Sequence, residues 1–429
     1  MKKIETPDLT RWSQGVQLLE KRARDILGTS PSKSDELFYD LYHKFFKRVK
    51  DEAEEGGHRL IAFNTSVPTE IVYAMDLVPV LVVNSTFTMT VALEDYRENL
   101  DIASGYGLAT ESCSAHRQLA AYFVEGWFPR PKAFIEMGPP VCDAFNYSHR
   151  FGHELYRVAH YTVDRPYYYT EENVKHLAGE FEDMIHFLEE QTGRKIDWDK
   201  LKEVVAQSVK MVELQREIHR LRKAVPSPIE NVRPVQINWL QWIYAGMPEG
   251  IAFLTAVRDE IKERVEHKKG VALPEERYRL LNLFHPLPLW CLGALLNWMQ
   301  NEKGAVYVME MFLSWWGKGE LDPSNPLECL ARKVYLQPFD NIVGPIEKHV
   351  ANAIKAAKEY KVDGAIREQN FACRQSPHTR VLKDALMEEA GIPTLIPDID
   401  VLDPTYSTLD EIKDKYEEFF EALDERKSR

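Results

Sequence analysis

Apolar residues in the first fifty positions recur every three or four residues, which is the spacing of one face of a helix. The residues that follow this spacing are Leu18, Leu19, Ile26, Leu37, Leu41, Phe45 and Phe46. Gly56 and Gly57 then end the pattern. The spacing predicts helix over residues 10–55, within a helical N-terminal arm over residues 1–57.

Beyond Gly57, short apolar runs alternate with helical segments. The runs are RLIAF, PVLVV, KAFIE and VAHYTV in one stretch, and RYRLLNLF, GAVYVM, VDGAIRE and PTLIPDIDV in a later one. This alternation is typical of βαβ units and a parallel sheet. A charged, helix-periodic stretch and the proline-rich segment AVPSPIENVRP separate the two. We therefore expect a first α/β lobe over residues 58–170, a helical connecting region over 171–270 and a second α/β lobe over 271–429.

The two α/β stretches follow one plan. In each, the first strand leads into a proline-containing loop, and the third leads directly into a cysteine-containing loop. The fourth strand ends near an aspartate, which is Asp164 in one stretch and Asp398 or Asp400 in the other. Ligands bind at the carboxyl ends of strands in open parallel sheets. The predicted fold class is therefore α/β, with two Rossmann- or flavodoxin-like lobes whose parallel sheets face a shared cleft, plus a helical arm and a helical insertion.

The charge and the longest apolar runs narrow the class of protein. The net charge of −13 argues against a nucleic-acid partner, which needs a basic face. No apolar run reaches the 18 residues that indicate a transmembrane helix. The opening MKKIETPDLTRW lacks the apolar region of a signal peptide. We expect a cytoplasmic protein with neither a nucleic-acid nor a membrane partner.

Three of the five cysteines lie in polar loops. Cys142 follows the run KAFIE and lies near a helix start, where the helix end favours the thiolate. Cys373 occupies the corresponding loop of the second lobe, where the neighbouring Arg374 also favours the thiolate, and Cys113 precedes another helix. Three thiolates hold either an iron–sulfur cluster or, with a fourth ligand such as His116, zinc. The spacing fits no CxxC signature, so three ordinary cysteines remain an alternative.

The other two cysteines have a different setting. Cys291 lies in the apolar segment PLPLWCLGALLNW, which predicts a buried helix, and Cys329 lies on an amphipathic helix. Free cysteines in such places are small hydrophobic residues of the core or surface. We interpret neither as a ligand.

The order and spacing of eight segments resemble the catalytic subunits of the 2-hydroxyacyl-CoA dehydratase / class I benzoyl-CoA reductase superfamily, the 2-hydroxyglutaryl-CoA dehydratase D-component family. The resemblance runs from about Ala62 to Pro404. Its segments are FNTSVPTEIVYAMDLVPV, ESCSAHRQLA, RPKAFIEMGPPVCDAF, KAVPSPIENVR, GVALPEERYRLLNLF, DPSNPLECLA, VDGAIREQNFACRQSPHTRVL and GIPTLIPDIDVLDP.

The resemblance implies a cofactor and partners. Cys113, Cys142 and Cys373 match the family's ligands of one [4Fe–4S] cluster. A homologous subunit, in a heterodimer or a homodimer, and a separate ATP-hydrolysing iron–sulfur activator are the implied protein partners. The implied substrate is an acyl-CoA, whose thioester carbonyl accepts one electron and becomes a ketyl radical anion.

The resemblance also bears on the choice of reaction. Ser66 matches a serine that lies near the substrate in family dehydratases, but the glutamate that accompanies it would fall near Val83 or Asn84, where this chain has no acid. This favours an acyl-CoA reductase of the benzoyl-CoA reductase type. The alternatives are an (R)-2-hydroxyacyl-CoA dehydratase subunit and a homodimeric redox protein with a double-cubane [8Fe–9S] cluster and no CoA-ester substrate.

Further residues are candidates for the surroundings of such a site. Glu70 is expected to orient the helix in which it lies. The loop after the second lobe's first strand is expected to form an apolar pocket. Cations near the cysteine loops are candidates for binding the CoA phosphates. Each of these residues also has an ordinary structural interpretation. The pocket residues are Phe284, Pro286, Pro288 and Trp290, and the cations are Arg117, Arg150 and Arg374.

Overall fold

The computed structural model describes residues 3–138, 142–285, 288–370 and 372–428. Within these ranges the chain forms two four-stranded parallel sheets surrounded by helices, which confirms the predicted α/β class. The chain divides into two compact units. Unit 1 comprises Met1–Glu213, Trp239–Ala256 and Lys318–Leu336, and unit 2 comprises Leu214–Asn238, Val257–Gly317 and Gln337–Arg429.

Each unit contains one sheet. The strands of unit 1 are β1 (Leu60–Phe63), β2 (Val78–Leu81), β3 (Ala133–Met137) and β4 (Ala159–Val163), in the order β2-β1-β3-β4. The strands of unit 2 are β5 (Tyr278–Asn282), β6 (Ala305–Glu310), β7 (Gly364–Ile366) and β8 (Thr394–Leu395), in the order β6-β5-β7-β8. The two orders are the same, which confirms that one architectural plan is used twice.

Helices connect and cover the strands. Those before β5 are α1 (Thr10–Leu27), α2 (Lys33–Glu54), α3 (Thr69–Ala74), α4 (Val82–Leu93), α5 (Tyr96–Gly105), α6 (Ser114–Glu125), α7 (Asp143–Tyr156), α8 (Glu171–Thr192), α9 (Trp198–Leu221), α10 (Arg233–Ile243) and α11 (Pro248–Glu266). Those after it are α12 (Leu292–Asn301), α13 (Pro326–Leu336), α14 (Asp340–Val343), α15 (Ile346–Glu359), α16 (His378–Ala390) and α17 (Leu409–Lys427). No helix in the described ranges combines the length and the apolar character needed to cross a membrane.

Three boundaries differ from the sequence-based expectation. The single helix predicted over 10–55 is two helices, because Pro31 has no N–H to donate and the hydroxyl of Ser32 caps a new helix by accepting from Asp35 N at 3.2 Å. The predicted strand PVLVV ends at Leu81, and Val82 begins α4. The last strand shortens to two residues, followed by one isolated bridge between Gln369 and Asp398.

A buried ion pair ties the end of α9 to β6 in unit 2. Arg222 Nη2 lies 2.7 Å from Glu310 Oε1, and each side chain is only 1% exposed. Arg222 also donates to the Ser314 hydroxyl and to Tyr307 O, at 3.0 and 3.2 Å. Ser314 in turn donates to the second Glu310 oxygen at 2.8 Å. Protein hydrogen-bond partners therefore replace the water that both charges lose on burial. Buried charges are tolerated under this condition.

We expect Arg222→Met to lower the free energy of unfolding by about 3–5 kcal/mol, because Glu310 would keep a buried charge without its partner. Lys223→Met is the matched control, since the neighbouring Lys223 pairs with Glu359 at the surface and is 41% exposed. That control should cost about 0–1 kcal/mol. Urea unfolding with hydrogen exchange of β6 as the readout measures both changes, and equal losses in the two variants would contradict the assignment.

Candidate functional site

The helices α6 and α7 begin side by side in unit 1. The His116 ring, in the first turn of α6, packs edge-on against Phe145 of α7 with centroids 5.0 Å apart. His116 Nδ1 also lies 2.8 Å from the hydroxyl of Ser148, one turn further along α7. Burial lowers the pKa of His116 to about 3, so its imidazole is neutral and bonds as a neutral partner.

Two of the predicted ligand residues stand directly before these helices. Cys113 is the N-cap of α6 and Cys142 is the N-cap of α7, which confirms that both lie at helix starts. Neither cysteine forms a disulfide, and both are half-buried. Because the first turns of α6 and α7 are in contact, the two cysteines lie at the same end of unit 1. Of the loop between β3 and Cys142, residues 139–141, with Pro139 and Pro140, lie outside the described residues.

Ser66 occupies a strained position in the loop after β1. Its φ is 88°, in the left-handed region that favours glycine. Its hydroxyl is buried and has no hydrogen-bond partner among the described residues. Asn64, two residues earlier, ties this loop to the end of β3, since its side chain donates to Met137 O at 3.4 Å and accepts from Met137 N at 2.9 Å. Strain together with an unused buried hydroxyl is a feature of binding and catalytic positions.

Glu70 lies one turn beyond Ser66, in α3, and is fully buried. Its Oε1 accepts from the Ser208 hydroxyl at 2.6 Å and from the ammonium of Lys333. Burial by itself would raise the pKa of Glu70, but Lys333 and Ser208 outweigh it and hold the pKa below its ordinary value. Glu70 is therefore a buried carboxylate that ties α3 to α9 and α13, and its Oε2 has no partner among the described residues.

Sequence reasoning missed Glu136, a buried carboxylate on β3. Its Oε1 accepts from Thr162 Oγ1 at 2.8 Å and lies 3.4 Å from Arg150 Nε and from His160 Nε2. Its Oε2 has no partner in the part of the chain that the structure describes. The only signal in the sequence was an acid that closes an apolar run, six residues before Cys142.

The arginines proposed for CoA phosphates have different settings. Arg117 is buried and donates to Thr110 O and to the Ser104 hydroxyl, at 3.3 and 3.2 Å, so it holds α6 against the preceding turn. Arg150 is exposed and lies beside Glu136. Arg374 is exposed in the Cys373 loop.

Cys373 lies in a tight turn after β7, in unit 2. Its N–H donates to Asn370 O, and its carbonyl accepts from Ser376 N, both at 2.9 Å. Burial raises the pKa of the Cys373 thiol, and the opposing effects of the Gln375 N–H, Arg367 and Arg374 are smaller. Arg374 therefore favours the thiolate, as expected, but burial dominates. Phe371 lies outside the described residues.

A buried carboxyl group precedes this turn. Glu368 accepts from Asn282 Nδ2 at 3.1 and 2.9 Å on its two oxygens, and from the hydroxyls of Tyr307 and Tyr416, each at 3.2 Å. Burial raises the pKa of Glu368 to about 7, although these hydrogen bonds to Asn282 and Tyr416 lower it. Glu368 is thus held near the point of ionisation at neutral pH.

The apolar loop after β5 is partly described. Phe284 packs against Phe312 with centroids 5.6 Å apart, Pro288 is buried and Trp290 is half-buried. Pro286 lies outside the described residues. Cys291, expected inside a buried helix, is instead the half-buried N-cap of α12. Cys329 lies on a helix as expected, and of the core and surface positions left open for it, the structure shows the buried one, in α13.

The described residues contain no group of three or more His, Cys, Asp or Glu side chains arranged to hold a metal ion. The donors nevertheless suit a thiolate-bound group, because Cys113, Cys142 and Cys373 are half-buried and form no disulfide. Two of them also lie at neighbouring helix N-termini, which stabilise thiolates. The residues therefore fit an iron–sulfur cluster in donor chemistry.

Comparison with known proteins adds family information. Residues 64–423 match the family model described as 2-hydroxyglutaryl-CoA dehydratase, D-component. A benzoyl-CoA reductase subunit of Thauera aromatica is 25% identical over 259 residues, which are 58% of this chain and 59% of that protein. The (R)-2-hydroxyisocaproyl-CoA dehydratase alpha subunit of Clostridioides difficile is 23% identical over 265 residues, 60% of this chain and 62% of that protein. The matches thus span less than two thirds of each relative's length.

We expect Ser66→Gly to raise the free energy of unfolding by about 1 kcal/mol, because glycine adopts a φ of 88° without strain and the unused buried hydroxyl is removed. Ser66→Ala removes the hydroxyl but keeps the strain, so it should stabilise less. Ser85→Ala is the control, since that hydroxyl is also buried without a described partner but lies in α4. Urea unfolding measures all three, and a destabilised Ser66→Gly variant would contradict the interpretation.

The raised pKa of Glu368 predicts a pH dependence of stability. The folded protein holds this proton with a pKa of about 7, against 4.5 for an ordinary glutamate, so the stabilisation is fully present below pH 4.5 and is lost as the pH rises to about 7. Relative to Glu368→Gln, the wild-type protein should therefore lose on the order of 2 kcal/mol between these pH values.

Thermal unfolding from pH 4.5 to 8 measures this difference. The control is Glu421→Gln, at an exposed position of α17. Its stability should follow the wild-type profile. Parallel profiles for wild type and Glu368→Gln would show that Glu368 ionises normally.

Proposed function

The chain belongs to the 2-hydroxyglutaryl-CoA dehydratase D-component family, and from this premise we propose that it is the iron–sulfur subunit of an ATP-activator-dependent acyl-CoA reductase of the benzoyl-CoA reductase type. The reaction is a one-electron reduction of a CoA thioester, which forms a ketyl radical anion on the substrate. The observation that carries the proposal is the pairing of α6 and α7, each of which begins directly after a half-buried cysteine that forms no disulfide.

In this proposal Cys113, Cys142 and Cys373 hold a [4Fe–4S] cluster, which supplies low-potential single electrons when bound. Thiolates are the ordinary ligands of such clusters, and three of them leave one iron open. Support comes from the contact of His116 with Phe145 and Ser148, which holds the starts of α6 and α7 together.

Ser66 is the proposed substrate-binding residue. Its buried hydroxyl has no described partner and so remains able to donate to the thioester oxygen. A donor that is already in place and shielded from water stabilises the negative charge that develops on that oxygen. Asn64 holds the loop in position from β3.

The proposed partners are a homologous subunit, an ATP-hydrolysing iron–sulfur activator and an acyl-CoA. Support comes from the relatives, because both are named as subunits of acyl-CoA enzymes. The homologous subunit is either a different chain or a second copy of this one.

A dehydratase subunit is the second candidate. Val83 and Asn84 both lie in α4, and neither is an acid, which favours the reductase. The specific observation in favour of the dehydratase is Glu70, an ionised and buried carboxylate one turn from Ser66. Turnover of aromatic acyl-CoAs against (R)-2-hydroxyacyl-CoAs, with activator and ATP, distinguishes the two.

The third candidate, a double-cubane [8Fe–9S] redox protein, would contain about eight irons per site and bind no CoA ester.

Cysteine-to-serine variants test the cluster proposal. After anaerobic purification, we expect Cys113→Ser, Cys142→Ser and Cys373→Ser each to lose most of the iron and sulfide, because each removes one of three thiolate ligands. The matched controls are Cys291→Ser and Cys329→Ser, which should keep the wild-type iron content. Iron and sulfide quantitation with absorption spectra gives the result. A full cluster in Cys142→Ser, or no iron in the wild-type protein, would refute the proposal.

A further inference from the structure

Arg367 is a buried cation at the base of the Cys373 turn. It directly follows β7, and its side chain is almost completely buried, with 2% exposed. Its guanidinium donates from Nη1 to Glu368 O at 2.7 Å and from Nη2 to Gln375 O at 3.0 Å. These two carbonyls lie on either side of Cys373 in the chain, so Arg367 closes the turn that carries the thiol.

The charge of Arg367 has no carboxylate in contact with it among the described residues. Both described hydrogen bonds go to neutral carbonyls, the Nε has no partner in the same ranges, and the face of the guanidinium lies 4.2 Å from the centroid of the Phe284 ring. The oxygens of the neighbouring Glu368 are taken by Asn282, Tyr307 and Tyr416. In contrast, Arg222 and Arg279 of the same unit pair with carboxylates at 2.7 Å.

An unpaired buried charge is expensive, so proteins generally place a counter-charge beside it. The two carbonyls that the guanidinium binds lie on either side of Cys373, which places the charge at the base of the turn that carries this thiol. Burial lowers the pKa of Arg367 to about 10, and the effects of Cys373 and Glu368 oppose it. The counter-charge is therefore expected on the Cys373 side of the guanidinium.

We propose that Arg367 is the buried counter-charge of a thiolate-bound metal group at Cys373, and that it stabilises the reduced, more negative state of that group. This inference rests on the proposed function, because the group is the proposed iron–sulfur cluster. Net charge and hydrogen bonds near the thiolates set the potential of such clusters. Arg367 thereby acts as a positioning residue through the turn and as an electrostatic residue through its charge.

Two substitutions separate the charge from the hydrogen bonds. Arg367→Lys keeps the positive charge, and Arg367→Gln keeps a donor for the carbonyls but is neutral. Arg374→Gln is the control for a nearby charge, since Arg374 lies in the same turn but is exposed, where solvent and salt screen it. Circular dichroism and thermal unfolding first establish that each variant is folded.

The first measurement uses the metal-free protein and Cd²⁺ as the probe, followed by the thiolate-to-metal absorbance under anaerobic conditions. We expect Arg367→Gln to weaken Cd²⁺ binding at least tenfold, and Arg367→Lys and Arg374→Gln to stay within about threefold of wild type. Equal Cd²⁺ affinities in wild type and Arg367→Gln would overturn the inference, as would equal losses in Arg367→Lys and Arg367→Gln.

The second measurement is the midpoint potential of the reconstituted protein, from a redox titration followed by electron paramagnetic resonance. Arg367→Gln should lower the ratio of reduced to oxidised cluster about tenfold at a fixed ambient potential, which is about 59 mV for one electron. An unchanged potential would overturn the inference and leave the cluster proposal intact. Failure of the wild-type protein to bind Cd²⁺ or iron through its cysteines would instead overturn the proposed function, and the inference with it.

Discussion

Parallel strand pairing is the constraint on which both units depend. Every strand of a parallel sheet ends at the same edge, and both faces of the sheet must be covered by helices. In unit 1 this rule brings the loop after β1, with Ser66, to the same edge as the loop after β3, with Cys142. In unit 2 it does the same for the loop after β5, with Phe284, and the turn after β7, with Cys373. The residues of interest are therefore gathered by topology rather than by closeness in the chain.

Burial of charge is the second theme that the two units share. Glu70 with Lys333, and Glu310 with Arg222, are buried carboxylates with a cation in contact. The first pair ties α3 to α13, and the second ties the end of α9 to β6. Glu368 instead accepts hydrogen bonds from hydroxyls and an amide. Among the described residues, the guanidinium of Arg367 contacts only carbonyl oxygens and an aromatic ring. Ion pairs of this kind hold the framework. Glu368 and Arg367 have no ion-pair partner in contact among the described residues, and both lie within six residues of Cys373.

The sequence predicted those features that have a local or periodic signal. Alternating apolar runs and helices predicted the α/β class and the repeated plan, and loop position predicted that Cys113 and Cys142 precede helices. Local signals failed where tertiary contacts decide. Val82 is a β-branched residue of the kind that favours strands, but it begins the buried helix α4. The cation that pairs with Glu70 lies 263 residues away, on α13. Arg367 resembles an ordinary solvated charge, since nothing in its neighbours along the chain indicates complete burial.

The distance between Glu70 and Lys333 has a consequence during synthesis. Unit 1 is assembled from three separate stretches of chain, the last of which contains α13. A ribosome adds about 5–20 residues per second, so the 263 residues between the two partners take about 13–50 seconds to make. Throughout that interval the nascent chain contains the Glu70 carboxylate but lacks the ammonium that stabilises it. Unit 1 can therefore be completed only after α13 has been made, and a ribosome-bound fragment that stops before α13 lacks part of this unit.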